Sequence, residues 1–413
     1  MAGDRSAGTG RSVRLWSPWR VIVGFGTVSL AADMVYEGAR SVYGPLLASL
    51  GASALVVGAV TGAGEAAALV LRLVSGPLAD RTRRYWTITT VGYALTAVCV
   101  PLLSVTPELG AGGLTVAAVL ILVERVGKAI RSPAKSALLA EAAAEVGMGR
   151  GLGVHKALDQ VGAFAGPLLL AGLIAASAGS LQPGLAALAV PGAVAMLLLA
   201  VTRRRMPAPP PPPPGGPAGA RPPGPALPPS FVRFAIGTAL CTAGLVSFGL
   251  IGYHLVDRAL VPTAGVPLLY AAAMAAGAVA ALATGGAYDR FGARVLLAVP
   301  VMVAAWPALA FGSTLAAVVP GVLVWGAALG VQDSTVKALV ADLVPRERRA
   351  TAYGVFAGIQ GAGALVGGVA AGAVYDRSIA TLIVGIAAVQ VLALVLLLPV
   401  VLPRPGRSGT GRS

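Results

Sequence analysis

The stretch Trp19-Arg-Val-Ile-Val-Gly-Phe-Gly-Thr-Val-Ser-Leu-Ala-Ala-Asp33-Met-Val-Tyr36-Glu37-Gly-Ala-Arg40-Ser-Val-Tyr43 decides the fold. A helix needs ~20 mostly apolar residues to cross a bilayer core of ~30 Å. This run is that long, and its polar side chains recur at steps of three and four. That spacing predicts Asp33, Tyr36, Glu37, Arg40 and Tyr43 on one face of a helix. A charge facing lipid costs ~2.5–3.5 kcal/mol on insertion scales, so the stripe is expected to line a central cavity.

Working outward, runs of similar length follow at 54–75, 86–104, 114–134, 152–177 and 184–202. After an interruption six more occupy 231–256, 267–287, 295–311, 315–341, 351–374 and 379–402. Backbone groups in lipid must be satisfied within the segment, so the runs read as helices. Period-two alternation is absent, which excludes an outer-membrane barrel. The expected fold is therefore an all-α membrane protein. Twelve transmembrane helices form two pseudo-symmetric six-helix bundles around a central cavity. Composition agrees: of 413 residues, 56% are apolar and 11% charged, against ~25% charged in soluble chains. A water-soluble enzyme, a disordered chain and a coiled coil are excluded. The 55 glycines show no period of three, so the chain is not collagen-like. Cys99 and Cys241 sit singly in apolar runs, and with two histidines in all no metal cluster or cofactor site is expected.

The excess of 31 Lys+Arg over 16 Asp+Glu points to an anionic membrane face rather than to nucleic acid. Arg5, Arg11, Arg14 and Arg20 accompany Trp16 and Trp19 at the start, which reads as an uncleaved first span with an interfacial anchor. Arg81, Arg83 and Arg84, then Arg150, then Arg203, Arg204, Arg205 and Arg221 lie on the same side. Arg290 and Arg294, Arg346, Arg348 and Arg349, and Arg404, Arg407 and Arg412 complete it; the opposite connections carry only Arg258 and Arg377. Basic residues collect in cytoplasmic loops, so both termini of this multi-pass cell-membrane protein are expected in the cytoplasm. The expected organisation is a tail at 1–18, one bundle at 19–202, a linker at 203–230, a second bundle at 231–402 and a tail at 403–413. The linker holds thirteen prolines, six of them unbroken from Pro209 to Pro214, and reads as a semi-rigid spacer.

The halves repeat each other. Gly76-Pro-Leu-Ala-Asp80-Arg81 follows the second run and Gly285-Gly-Ala-Tyr-Asp289-Arg290 the eighth. Ala137-Leu-Leu-Ala-Glu141 matches Ala338-Leu-Val-Ala-Asp342, and at that offset Gly153, Gly162 and Gly166 fall on Gly354, Gly363 and Gly367. Parallel repeats of this kind are typical of transporters with a site between the halves.

On these residues the chain resembles the major facilitator superfamily over nearly its whole length. Gly76 to Arg84 is similar to the superfamily's loop motif between helices two and three, with Arg83 where a second glycine is usual; the degenerate copy keeps that glycine as Gly292. Gly162-Ala-Phe-Ala-Gly166-Pro167-Leu-Leu-Leu-Ala-Gly172 is similar to the helix-five motif associated with antiporters. Glu124-Arg125-Val-Gly-Lys128-Ala-Ile-Arg131-Ser-Pro133 resembles the helix-four arginine region, and the first span resembles a bacterial subgroup. The resemblance implies that Asp80, facing the helix that starts near Thr351, latches the cytoplasmic side. Gly162 and Gly166, four apart, permit close backbone approach, and Pro167 permits a kink.

Buried charges supply the site. Glu37 and Arg40 are spaced to pair, which leaves Asp33 the least compensated acid. Burial penalises a charged carboxylate, which suits proton exchange near neutral pH. Glu65 with Arg72, and Glu124 with Lys128, Arg131 and Lys135, share helix faces; Asp333 and Lys337 stand one turn apart. His155 and Asp159 are spaced for a proton relay or a local hydrogen bond, and His254 with Asp257 and Arg258 reads as interfacial. The expected function is proton-coupled efflux of a small organic compound by alternating access, with Asp33, Glu37 and Glu65 taking protons and Arg40 and Arg125 tuning them. Import of a small solute is the rival. A membrane-embedded transferase is disfavoured, since His155 and Asp159 are one residue too close for the acyltransferase His-x4-Asp pattern and no phosphate-binding loop is present. The expected partners are a small-molecule solute, protons and the lipid bilayer, with no nucleic acid, and the chain is expected to act as a monomer.

Overall fold

The computed structural model describes residues 15–206, 227–344 and 349–402. Arg5, Arg11, Arg14, Arg221, Arg346, Arg348 and the arginines past residue 403, the proline run and the Lys337 side chain lie outside the described residues.

The first half contains α1 (Pro18–Ser41), α2 (Tyr43–Ser49), α3 (Ala54–Val70), α4 (Arg72–Thr82), α5 (Tyr85–Leu102), α6 (Gly113–Val146), α7 (Met148–Ala176), α8 (Gln182–Ala187) and α9 (Ala189–Arg205). The second contains α10 (Pro229–Leu245), α11 (Phe248–Asp257), α12 (Gly265–Phe291), α13 (Ala298–Ala310), α14 (Leu315–Leu343), α15 (Arg349–Tyr375) and α16 (Ile379–Val401). Side chains cap two of the starts: Ser53 Oγ accepts from the Val56 amide at 3.4 Å and Ser378 Oγ from the Thr381 amide at 3.1 Å.

Among the described residues, ten continuous helical segments are long and apolar enough to cross a bilayer. The twelve expected runs fall on these ten. Tyr85–Val146 carries two of them, joined through a tight-turned segment at Leu103–Gly112, and Gly265–Ala310 carries two, joined at Gly292–Leu297. Leu282, Val279, Val384 and Leu197 each expose two thirds or more of their surface outward, as lipid contact requires.

Four expected runs are each divided between two α-helices. The first is offset at Val42, the second at Leu71 and the sixth at Leu188, and the seventh breaks at Val246, whose φ of 27° is foreign to a β-branched residue. Two indoles hold that break. Trp325 Nε1 donates to the Leu245 carbonyl at 2.6 Å, and Trp306 Nε1 to that of Gly244 at 3.2 Å. The freed carbonyls are thus satisfied inside protein, the condition for unwound backbone at membrane depth.

One large apolar cluster runs from Phe231 to Val401 with Ala54 added; two others draw on residues between Val21 and Leu199. The repeat seen in sequence recurs in the backbone. Arg83 and its counterpart Gly292 both take positive φ, 51° and 62°, but with different ψ, 17° and −149°: the arginine is left-handed helical, and the glycine holds a conformation that only glycine adopts readily. A Cβ on Gly162 or Gly166 would strike the Leu30 or Met34 carbonyl of α1. One on Gly363 or Gly367 would strike the Ala239 or Ala243 carbonyl of α10. Each glycine pair therefore seats its helix against the first helix of its own half.

Gly166→Leu forces backbone apart, and is expected to destabilise by at least ~1–3 kcal/mol. Gly172→Leu on the same helix meets open space and is expected to be neutral. Thermal unfolding of the two purified variants, followed by size-exclusion fluorescence, checks the contrast.

A candidate transport site between the two halves

Three helices meet through one carboxylate. Glu65 of α3 accepts from Arg40 of α1 at 2.7 Å and lies 3.4 Å from Arg125 of α6. Arg125 is buried, donates to the Tyr36 hydroxyl, and sits over the Tyr36 ring at 4.7 Å and the Tyr43 ring at 6.0 Å. Arg40 also reaches Glu37 at 3.7 Å. Lys128 stands 4.0 Å from Glu37 and 3.3 Å from the Tyr36 ring centre. Buried charges need such pairing, since an isolated one costs several kcal/mol.

Nearer the Arg-rich end, Asp33 of α1 and Asp159 of α7 face the same cavity as neighbouring carboxyl groups. Arg131 faces Asp33 at 4.0 Å, and Lys156 holds Asp159 at 2.6 Å. His155 bonds Ser29 Oγ at 3.1 Å, which also accepts from Lys135 at 3.1 Å. The expected His155–Asp159 relay is therefore not what the structure builds: the imidazole turns to α1, and Asp159 turns to Lys156.

These groups line a cavity of about 490 Å³ between the halves. Its first-half wall presents Asp33, Glu37, Arg72, Lys128 and Asp159; its second-half wall presents Gly277, Ala278, Gly330 and Asp333. A smaller space of about 190 Å³ adjoins it, with Arg40 and Glu65 opposite Thr242, Gln332 and Gln360. Gln332 Nε2 donates to Thr242 Oγ1 at 2.8 Å, and Gln360 Nε2 to the same oxygen at 3.3 Å.

The two ends of the interface differ. Away from the Arg-rich end the backbones touch: a Cβ on Gly58 would strike the Gly368 carbonyl, one on Gly372 that of Ala54, and one on Gly44 that of Gly249. Ser247 Oγ donates to Thr61 Oγ1 across the halves at 2.6 Å, and the Tyr270 hydroxyl donates to Glu37. Toward the Arg-rich end, Gly354 of α15 meets only the Leu73 side chain. A second cavity of about 690 Å³ opens there beside Arg72, Gly76, Asp80 and Tyr353.

The face expected from sequence divides on folding. Asp33 and Glu37 line the cavity and Arg40 the smaller space, but Tyr36 and Tyr43 are buried behind them, beneath Arg125. Glu124 is also buried away from the cavity, accepting from Thr96 at 3.2 Å. Glu65 and Arg72 do not pair, because Glu65 turns to Arg40 and Arg125. Asp80 accepts from the Tyr85 hydroxyl at 3.1 Å within its own half and lines the opening opposite α15; among the described residues it makes no hydrogen bond to that helix. Arg81, Arg84, Asp289 and Arg290 are exposed at the Arg-rich end. His254 is buried, bonded to Tyr375 at 2.6 Å and to the Gly312 carbonyl at 3.1 Å. Sequence reasoning passed over Tyr270, Thr242, Gln332 and Gln360. The two glutamines carried a signal, being amides inside apolar runs.

A family model for the Major Facilitator Superfamily matches residues 25–257 and 234–413. The chain belongs to that superfamily. It is 51% identical over 391 residues to an uncharacterized protein of Mycobacterium tuberculosis, covering 94% of each chain. It is 28% identical over 145 residues, 35% of each chain, to an uncharacterized MFS-type transporter of Methanocaldococcus jannaschii. Among solved structures, a variant of the nucleoside transporter NupG matches with a TM-score of 0.73 at 14% identity, over 92% of this chain and 99% of that one. A D-xylose–proton symporter matches with a TM-score of 0.63 at 15% identity, over 91% and 97%. These likenesses show the shared fold. As a member of the major facilitator superfamily the chain is a multi-pass membrane transporter, not an enzyme.

Replacing Glu65 by Gln leaves Arg40 and Arg125 without their shared acid. The expected loss is about 2 kcal/mol, below the ~3–5 of a fully dry pair because water reaches part of Glu65. Glu65→Gln with Arg40→Gln should recover part of it, read as apparent melting temperature in detergent.

Proposed function

We propose that this superfamily member is a proton-coupled exporter of a small organic solute, working by alternating access. The observation that carries the reading is the Asp33–Asp159 carboxyl pair on the wall of the cavity. Two neighbouring acids with Arg131 and Lys156 alongside make a site whose proton affinity changes as those cations approach or withdraw. Taking the Arg-rich end as cytoplasmic, the wide end opens inward and the glycine contacts close the outside, which is the loading state of an exporter. The bundles at 19–202 and 231–402 then rock as units, and the inter-half bonds Ser247–Thr61 and Tyr270–Glu37 are those that must break on outward opening. In that state Asp80 approaches the start of α15 and closes the cytoplasmic side. The helix-five glycines, similar to the antiporter motif, support export over uptake.

In proteoliposomes under an imposed pH gradient, Asp33→Asn is expected to retain solute exchange at equal pH while losing gradient-driven accumulation. Accumulation unchanged in the variant would remove the carboxyl pair from the mechanism. The direction of solute movement relative to the gradient separates export from uptake.

A further inference from the structure

Among the cations on the wall of the central cavity, one is unlike the rest. Lys128 is held by Glu37, Arg131 by Asp33 and Thr96, Lys135 by Ser29, and Lys156 by Asp159. Arg72 is exposed to the cavity, and among the described residues no carboxylate stands within ion-pair distance of it. It opens α4, where the second helical run is offset at Leu71, and it borders both the 490 Å³ cavity and the 690 Å³ opening. A solute entering from the Arg-rich end therefore meets this guanidinium on its way in. Asp333 lines the same space from α14 and is itself engaged in a contact.

A guanidinium offers a planar fork of donors matched to carboxylate and phosphate oxygens. Exposed to the cavity, with no carboxylate within ion-pair distance among the described residues, it offers a seat for an anion. The wall opposite has the contrary chemistry. Met274, Gly277, Ala278, Ala281, Leu329 and Gly330 present small and apolar surface from α12 and α14. Gly277 and Gly330 are in backbone contact, which makes that wall flat.

We infer that the transported solute is an amphipathic organic anion. Its carboxylate or phosphate-type head is taken by Arg72, and its apolar body lies on the glycine- and alanine-lined wall of α12 and α14. This rests on the transporter reading but not on its proton coupling or direction.

The test is binding without flux. Thermal unfolding of the purified full-length protein is followed with four probes: phenylacetate, benzylphosphonate, phenylacetamide and acetate. The first three share one apolar body and differ in the head, and acetate carries a head alone. At least one aromatic anion is expected to stabilise at concentrations at least about tenfold lower than the amide or acetate needs; which one does so separates a carboxylate from a phosphate head. Arg72→Gln should reduce that anion to the level of the amide, and Arg72→Lys, which keeps the charge without the fork, should fall between. Equal stabilisation by anion and amide, no stabilisation by either aromatic anion at millimolar concentration, or an undiminished preference in Arg72→Gln overturns the inference. Such a failure leaves transport itself standing. Anion binding that persists without any gradient-driven flux would instead overturn the proposed coupling.

Discussion

Arg125 is a permanent cation with almost no accessible surface, inside a protein bathed in lipid. Such a group must be matched from within, since neutralising it by proton loss is not available to a guanidinium. Glu65 supplies the match from α3, and the same carboxylate holds Arg40 of α1. Three helices distant in sequence are thereby fixed at one point, with Tyr36 filling the space beneath. The rest of the first-half wall follows from that anchor. With Arg40 drawn to Glu65, Glu37 is left to face Lys128 and the Tyr270 hydroxyl of the other half, and Asp33 is left to face Asp159. The anchor thus separates charges that hold the bundle together from charges that remain available to the cavity.

The second constraint is close approach. Glycine lets backbones touch, and without a hydrophobic force between helices in lipid that contact carries much of the association. Within each half, a glycine pair seats the fifth helix on the first; between halves, Gly58, Gly368 and Gly372 seal one end. The two uses differ in consequence. Contacts inside a half have no reason to open, whereas the seal between halves is built from weak pieces, glycine surfaces and two hydroxyl hydrogen bonds. Among the described residues no ion pair crosses that closed end, and an interface so built can part at modest cost.

Much of this was legible in the chain. Run length and the positions of Asp33, Glu37 and Arg40 gave the helices and the cavity-facing stripe, because charge in lipid is so costly that its placement carries information. The repeat was legible where a backbone conformation demanded a residue, as at Gly292. It was masked at Arg83, where a long side chain also takes a positive φ, though in a different conformation. Partner choice was not legible. Spacing offered Glu37 to Arg40 and set His155 beside Asp159, but Arg40 makes its shorter contact with Glu65 of another helix and His155 turns to Ser29. The break at Val246 left no local signature either, since the indoles that stabilise it lie some sixty and eighty residues away in sequence.

The repeat also explains why the two walls of the cavity are so different. The offset that places Leu30 on Ala239 and Met34 on Ala243 places Asp33 on Thr242. Where the first half keeps an acid against Asp159, the second keeps a hydroxyl receiving Gln332 and Gln360. Equivalent positions on equivalent helices have taken opposite chemistries, one able to change charge and the other fixed neutral. The two halves therefore present different chemistry at matching points of one small cavity: a cluster of acids and cations on the first, and on the second hydroxyl, amide and small apolar surface with Asp333 as its acid.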